Sequence, residues 1–279
     1  MKVAIVGTGL IGGSMAIALR EKGLATELIG VEAHPGHAQR ALELGLVNKI
    51  APLKEAIAAA DLVILAIPVN AVEQLLPEVL DTIRHQVVMD VGSIKERILD
   101  TVARHPNRSR FVATHPMWGT EYSGPEAAVT GAFSGKATVI CDPQHSDPAA
   151  VEVVKDLYQK LGMHIIEMNA VEHDVHVAYI SHISHITSFA LANTVLEKER
   201  EEDAIFELAS GGFESTVRLA KSNPAMWVPV LMQNRENILD VLNEHLSQLR
   251  KFKACLEKEN YEYLQELIEN ANKIVKIIK

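Results

Sequence analysis

The segment Lys2–Ser14 reads KVAIVGTGLIGGS and joins a short apolar run to three regularly spaced glycines. The run at residues 3–6 predicts a strand, Gly7, Gly9 and Gly12 then follow the spacing G-x-G-x-x-G, and a helical pattern begins at about residue 10. In such a turn the first glycine permits the bend, the second lets a pyrophosphate approach the backbone, and the third lets helix and strand pack closely. The free N–H groups at the helix start then face the phosphates. The segment therefore predicts a dinucleotide site whose contacts include Gly7, Gly9, Leu10, Ile11 and Gly12.

Two further stretches extend the predicted cofactor site. A second strand at residues 27–31 is followed by Glu32, which lies 20 residues after Gly12, where a carboxylate binds the adenosine ribose hydroxyls. A carboxylate there would repel a 2′-phosphate, so NAD is favoured over NADP; the alternative is that Glu32 is a solvated loop charge. The buried-strand pattern LVILAIP ends at Ile67 and Pro68, which we also expect beside the cofactor.

Composition limits the possible partners. The 279 residues include 27 basic and 36 acidic side chains, and the net charge of −9 argues against a nucleic-acid partner or an anionic membrane surface. No apolar run approaches 18 residues and no signal-peptide pattern opens the chain, so we expect a soluble, cytoplasmic protein. The two cysteines are isolated, which suggests neither a disulfide framework nor a thiolate metal site.

The order of the predicted elements divides the chain in two. Strands and helices alternate up to residue 168, which predicts an α/β fold with a Rossmann-type, doubly wound parallel sheet in residues 1–168. Only helical patterns follow, so we expect an all-helical domain at 169–279 that forms a homodimer. The first of these helices, at 171–199, is apolar on nearly all faces, which indicates burial between subunits or inside the helical domain. Further helices are predicted at 204–208, 214–221, 226–249 and 256–278.

Two polar residues follow neighbouring predicted strands. His115 ends a strand in THPMWGTEYSG and is a candidate base, because strand carboxyl ends border the cofactor crevice. Ser93 in DVGSIK lies at the same edge and could orient an imidazole or bind a substrate hydroxyl. The structural alternatives are an ordinary buried histidine and a helix N-cap at Ser93. The long irregular stretch at residues 115–135 also indicates function, because long loops in compact domains are usually functional.

Histidines and basic residues of the helical half add further candidates. His173, His176, His182 and His185 cannot converge on one metal ion from a regular helix, so we expect no metal site. His182 and His185 are better interpreted as polar groups that face a substrate. In SGGFESTVRLAKSNPAMW, Arg218 is the candidate carboxylate clamp because its planar fork can donate two hydrogen bonds. A surface ion pair is the alternative for Arg218.

Together, the motifs GTGLIGGS, DVGSIK, THPMWGTEYSG, SHISH and SGGFESTVRLAKSNPAMW resemble the prephenate/arogenate dehydrogenase family over essentially the whole chain. The resemblance implies a Rossmann domain joined to a helical dimerisation domain, with NAD as cofactor. It also departs from the family pattern at two positions. Ser184 replaces the usual proline of S-H-x-P-H, and Trp118 stands where a smaller residue is often found.

The resemblance also implies residue roles. His115 would take the proton of the substrate's ring 4-hydroxyl, assisted by Ser93, while hydride passes to NAD. Arg218 would bind a substrate carboxylate, and the same pocket would include Glu121, His182, His185 and Trp227. The product of prephenate would be 4-hydroxyphenylpyruvate, an intermediate of tyrosine biosynthesis; arogenate, which carries an amino group instead of the keto group, is the alternative substrate.

Other functions remain open at this point. β-Hydroxyacid dehydrogenases and imine reductases share the layout of a Rossmann half followed by helices, but the β-hydroxyacid enzymes use a lysine on the long helix where this chain has His182 and His185. A non-enzymatic dinucleotide sensor would need the glycine turn but has no reason to keep Ser93, His115 and Arg218 together.

Overall fold

The fold of the N-terminal half is a single sheet. A computed structural model describes residues 1–199 and 205–277. Within these residues eight strands pair in the order β3-β2-β1-β4-β5-β6-β7-β8. The strands are β1 (Lys2–Val6), β2 (Glu27–Val31), β3 (Lys49–Ile50), β4 (Leu62–Leu65), β5 (Val87–Asp90), β6 (Phe111–Pro116), β7 (Ala137–Cys141) and β8 (His164–Met168).

Strand direction agrees with the predicted parallel sheet over its first six members. Strands β1 to β6 pair in parallel, as the alternation of strands and helices predicts. Strand β7 pairs antiparallel with β6, and β8 is parallel to β7, so the last two strands run against the rest. The reason is the connection, because the loop between β6 and β7 returns at the same edge without a crossover helix. The carboxyl ends of β1, β4, β5 and β6 therefore share one edge.

Helices cover both faces of this sheet. They are α1 (Leu10–Glu21), α2 (Pro35–Glu43), α3 (Leu53–Ala59), α4 (Val69–Thr82), α5 (Glu96–Val102) and α6 (Pro148–Lys160). Alternate residues of β1 belong to two separate apolar clusters: Val3 and Ile5 pack with α1, α2 and α6, whereas Ala4 and Val6 pack with α3, α4 and α5. The strands are thus buried on both sides, which explains their continuous apolar patterns.

The C-terminal half is helical and packs on the second of these clusters through Trp227 and Val230. Its helices are α7 (Ala170–Val177), α8 (Ile183–Glu199), α9 (Gly211–Val217), α10 (Pro224–Gln233), α11 (Arg235–Glu257) and α12 (Tyr261–Asn272). A π-helical segment, Ala178–His182, joins α7 to α8. None of the helices in the described part of the chain is long and apolar enough to cross a lipid bilayer.

Several predicted helix limits were wrong. The single helix expected at 226–249 is two helices that meet at Asn234, and the C-terminal helix expected from residue 256 starts at Tyr261, after Glu259 at φ 51°. The expected helix at 204–208 contains only a short 3₁₀ turn, Phe206–Leu208, and residues 204 and 278 lie outside the described residues.

The long helix predicted at 171–199 is not buried within one chain. Val171, Tyr179 and Ile180 are exposed, the last at 65%. Of the two positions expected for this helix, between subunits or inside the helical domain, the first remains compatible with this exposure.

A fully buried ion pair joins the carboxyl ends of β5 and β6. The ammonium group of Lys95 donates to Oδ2 of Asp90 and, at 2.7 Å, to the carbonyl of Thr114. Asp90 also accepts hydrogen bonds from the backbone N–H groups of Gly92 and Thr114. Because the partners of both charged groups come from two strands and the loop after β5, the pair fixes the backbone immediately before His115.

We expect Lys95→Met to lower the free energy of unfolding by about 3 kcal/mol, because it leaves the Asp90 carboxylate buried without its counter-ion. Lys54→Met is the matched control, since Lys54 faces Glu78 at 3.9 Å on the surface, where the loss should stay below about 0.5 kcal/mol. Urea denaturation of both variants measures the difference. Equal free energies of unfolding for the Lys95→Met and Lys54→Met variants would show that the buried pair matters no more to stability than a surface contact.

Candidate functional site

The glycine turn has the geometry that its sequence predicts. Gly7 adopts φ +92°, and a Cβ atom on it would lie 2.5 Å from the carbonyl oxygen of Ala66. A Cβ atom on Gly12 would lie 1.9 Å from the oxygen of Gly7, whereas the same position on Gly9 is open, with no atom within 4 Å. Leu10 and Ile11 form the first turn of α1, where backbone N–H groups have no intrahelical acceptor. The open side of Gly9 next to these donors fits a dinucleotide pyrophosphate.

Glu32 lies directly after β2 and faces the glycine turn. Its Oε2 accepts hydrogen bonds from the backbone N–H of Thr8 at 3.0 Å and from the Thr8 hydroxyl at 3.1 Å. The carboxylate is therefore held at the turn. Ile67 lies at the end of β4, where its Cγ2 atom is one of the neighbours that a Cβ on Gly7 would meet, and Pro68 is the N-cap of α4. All the predicted cofactor residues thus lie at one edge of the sheet.

His115 lies near the end of β6, and a chain of side-chain hydrogen bonds connects it to two residues of α7. Its Nδ1 atom lies 2.9 Å from Nε2 of His173, and Nδ1 of His173 lies 2.7 Å from Oδ1 of Asp174. His173 and Asp174 are both buried. Asp174 also accepts hydrogen bonds from the backbone N–H groups of Lys95 and Glu96. The chain of contacts runs from the helical half, through two imidazoles, to the edge of the sheet.

Ser93 follows β5 at the same edge and is partly buried. In the described part of the chain its hydroxyl has no hydrogen-bond partner, and Nδ1 of His115 is instead engaged by His173. The N-cap of α5 is Lys95. The proposed assistance of Ser93 therefore stays a prediction, and so does its contact with a substrate hydroxyl.

The break between α10 and α11 brings the remaining aromatic residues into the same network. The amide of Asn234 donates to the carbonyl of Asp174 at 2.7 Å and lies 3.1 Å from Nδ1 of His182. The ring of Trp227 stacks on His185, with centroids 3.5 Å apart, and meets His182 edge-on at 6.0 Å. His182, His185 and Trp227 thus form one aromatic cluster connected to His115. No group of three His, Cys, Asp or Glu side chains that could hold a metal ion occurs within the described ranges.

Arg218 and Glu121 form an ion pair near His185. Nη1 of Arg218 lies 2.9 Å from Oε2 of Glu121, and Arg218 is half exposed. Arg218 starts the 3₁₀ turn that follows α9, whereas Glu121 belongs to the long loop between β6 and β7. A hydrogen bond from its own backbone N–H and the neighbouring Arg218 lower the pKa of Glu121.

The other end of this loop is attached to the cofactor-binding half. Glu126 accepts a hydrogen bond from Nε of Arg40 at 3.0 Å, and the backbone N–H of Val129 donates to the Ser14 hydroxyl at 3.0 Å. The loop therefore extends from helices α1 and α2 to Arg218.

Burial keeps the site imidazoles neutral. Desolvation lowers the pKa of His115 well below its usual range, and the neighbouring His173 and Lys95 lower it further. Desolvation lowers the pKa of His182 to about 4, although the nearby Asp174 opposes the shift. The pKa of His185 is also lowered, mainly by burial and further by Arg218. Neutral imidazoles can accept a proton or a hydrogen bond at neutral pH.

Sequence reasoning missed four residues of this network: Asp90, Lys95, Asp174 and Asn234. It considered His173 only as a metal ligand. The pattern Asn169 to Asp174 contains an N-cap followed by adjacent histidine and aspartate in the first two turns of a helix, and this was the signal available for His173 and Asp174. The role of Asn234 depends on a helix break that no glycine or proline marks.

The depressed pKa of His182 makes stability depend on pH. Unfolded, His182 titrates near 6.5, but in the folded chain its pKa is about 4, so between these values the unfolded state binds more protons. We therefore expect the free energy of unfolding to fall as the pH is lowered from about 6.5 to 4, by up to about 1.4 kcal/mol per pH unit for this group. Urea denaturation at several pH values measures the slope.

His182→Gln should show a shallower pH dependence than the parent chain. His176→Gln removes an exposed imidazole of helix α7 and should keep the parent slope, since that ring meets water in both states. Parallel curves for all three proteins would exclude His182 as a source of the dependence.

Family models match both halves of the chain. The family model described as "Prephenate dehydrogenase, nucleotide-binding domain" matches residues 15–167, and that described as "Prephenate dehydrogenase, dimerization domain" matches residues 169–270. The prephenate dehydrogenase of Bacillus subtilis is 33% identical over 277 residues, which are 96% of this chain and 74% of that protein. The cyclohexadienyl dehydrogenase of Zymomonas mobilis is 28% identical and covers 97% of this chain and 94% of its own.

A solved structure gives the same result for the fold. The prephenate dehydrogenase from A. aeolicus, in complex with hydroxyphenyl propionate and NAD+, superposes with a TM-score of 0.91 at 27% identity, covering 100% of this chain and 99% of that one. The two family models together match residues 15–167 and 169–270, and the glycine turn at residues 7–12 is typical of a dinucleotide-binding domain. The chain therefore belongs to the prephenate dehydrogenase family of NAD-dependent oxidoreductases.

Proposed function

We propose that the protein catalyses the NAD-dependent oxidative decarboxylation of prephenate to 4-hydroxyphenylpyruvate. The observation that carries the proposal is the continuous set of contacts from His115, through His173, Asp174, Asn234 and His182, to the Trp227–His185 stack. This network places a neutral imidazole at the edge of the sheet that bears the glycine turn. NAD, when bound, supplies the acceptor for the hydride that leaves the ring carbon bearing the hydroxyl.

The roles of the chain's own residues follow from their positions. His115 takes the hydroxyl proton on Nε2, because its Nδ1 is engaged by His173. The ring carboxylate then leaves as carbon dioxide, the electron pair of the broken bond enters the ring, and His115 returns its proton to the phenol oxygen. Arg218 binds a carboxylate of the substrate with the guanidinium N–H groups that Glu121 does not engage. Glu32 binds the ribose hydroxyls of the cofactor.

The state of Glu121 supports prephenate as substrate. Arogenate carries an ammonium group on its side chain, which needs an uncompensated carboxylate or several acceptors in the pocket. The Glu121 carboxylate is already paired with Arg218 at 2.9 Å. The keto group of prephenate requires no such anion, so the observed pairing favours it.

We expect His115→Asn to lower kcat/KM for prephenate by about 10²-fold to 10⁴-fold, the usual contribution of a general base. The measurement is the rate of appearance of reduced nicotinamide absorbance. Because neutral His115 is the active form, the parent enzyme should lose activity as the pH falls through the pKa of His115, and the variant should lack this ionisation. NAD affinity, measured by calorimetry, should be unchanged. A variant with more than a tenth of the parent rate would rule out His115 as the base.

Parallel assays with prephenate and arogenate test the substrate assignment. We expect kcat/KM for prephenate to exceed that for arogenate at least about tenfold, since a buried ammonium without a partner costs more than 1.4 kcal/mol. Both assays use NAD under identical conditions. A higher kcat/KM for arogenate than for prephenate would show that arogenate is the preferred substrate and would contradict the proposal.

We also propose that the protein is a homodimer formed through its helical half. Exposed apolar side chains are concentrated there, including Tyr179, Ile180, Leu246 and Leu249, and such surfaces on a soluble chain mark interfaces. The match of residues 169–270 to a dimerization domain supports this assignment. Light scattering should give twice the chain mass, and Ile180→Glu should shift the mass toward that of one chain. A parent protein with the mass of one chain at micromolar concentration would refute the dimer.

A further inference from the structure

The buried pair His173 and Asp174 lies beyond the residues that contact the substrate, yet its geometry determines what His115 can do. Both carboxyl oxygens of Asp174 accept hydrogen bonds from backbone N–H groups. The backbone N of Lys95 lies 2.9 Å from Oδ1, and the backbone N of Glu96 lies 2.9 Å from Oδ2. Both oxygens of Asp174 therefore act as hydrogen-bond acceptors, as the oxygens of an ionised carboxyl group do. The helical half thus presents a fixed negative charge to His173.

This charge determines which ring nitrogen is protonated in each of the two imidazoles. His173 must donate from Nδ1 to Oδ1 of Asp174, across 2.7 Å. A neutral His173 then has its lone pair on Nε2, which can only accept. His115 Nδ1 lies 2.9 Å from that atom and therefore carries the proton of the shared hydrogen bond. The remaining nitrogen of His115, Nε2, keeps its lone pair and makes no hydrogen bond to a described residue.

We propose that His173 and Asp174 are positioning residues that hold His115 in the Nδ1–H tautomer, so that its Nε2 faces the substrate as the acceptor of the hydroxyl proton. The role rests on the proposed function of His115. When His115 takes the proton on Nε2, its Nδ1–H remains hydrogen-bonded to Nε2 of His173. The carboxylate of Asp174 then stabilises the imidazolium cation through the ring of His173. No proton leaves the network, because the same proton returns to the product oxygen.

The surroundings of His115 make this support necessary. Its other charged and titratable neighbours are Lys95 and His182, and both disfavour a positive charge on His115. Asp90 is already bonded to Lys95. Asp174 is thus the anion that connects to His115 through hydrogen bonds, and it does so only through His173.

Asp174→Asn separates this role from a purely structural one. The amide oxygen should take the Oδ2 position, because two backbone N–H groups lie there, Glu96 N at 2.9 Å and Lys95 N at 3.2 Å, whereas only Lys95 N lies at Oδ1. The amide NH₂ then faces Nδ1 of His173 and forces that atom to accept. His173 must donate from Nε2, and His115 must move its proton to the nitrogen that faces the substrate. The fold is retained while the base is in the wrong tautomer.

The direct test is ¹⁵N NMR of histidine-labelled protein with and without NAD, in the absence of prephenate, with His115 assigned by the loss of its signals in His115→Asn. We expect the Nδ1–H tautomer of His115 in the parent protein and the Nε2–H tautomer in Asp174→Asn. An Nε2–H tautomer in the parent, or no change in the variant, would overturn the proposal. Because this readout needs no turnover, it stands even if prephenate is not the substrate.

Kinetics with prephenate give the second test. Asp174→Asn should lower kcat on the order of 10⁴-fold, as expected for a wrong tautomer, while KM changes less than about threefold. His173→Gln should retain more activity than His173→Leu, because its amide oxygen can still accept from Nδ1 of His115. His176→Gln, an exposed change on the same helix, is the control and should keep the parent kcat. Equal activities for the Gln and Leu variants, or a full parent kcat in Asp174→Asn, would reject the positioning role.

Discussion

The buried pair of Asp90 and Lys95 is the contact on which the rest of the site depends. It joins the end of β5 to the carbonyl of Thr114, the residue before His115, and it brings a positive charge close to that imidazole. A buried pair of this kind adds little net stability compared with an apolar pair, but it fixes geometry, because each partner is costly to leave alone. The position of His115 thus follows from an interaction inside the sheet.

The two halves of the chain contribute different chemistry. The sheet supplies the glycine turn, the carboxylate of Glu32 and the imidazole of His115, and the helical half supplies the guanidinium of Arg218, the stacked aromatic rings and the carboxyl group of Asp174. The chain carries a net charge of −9 and the proposed substrate, prephenate, is a dianion, so long-range electrostatic attraction would not favour its approach. Attraction must come from short-range donors such as Arg218, in a site where the imidazoles stay neutral.

The glycine turn and the individual strands were predictable because they depend on local sequence. Gly7 and Gly12 are required by backbone contacts within a few residues, and apolar periodicity identifies each strand. The network was not predictable in the same way, since His115 and His173 are 58 residues apart and only the docking of α7 on the sheet brings them together. The break at Asn234 was missed for a related reason: hydrogen bonds to Asp174 and His182 occupy its amide, and nothing in the adjacent residues indicates it.

The π-helical segment at residues 178–182 has a consequence for how this protein can vary. One extra residue in a helix changes the phase of everything that follows by about 100°. Deleting a single residue there would restore a regular α-helix and rotate His185 away from the ring of Trp227, on which it now stacks. The number of residues between Asp174 and His185 is therefore constrained, because an insertion or deletion in this stretch would separate the two stacked rings.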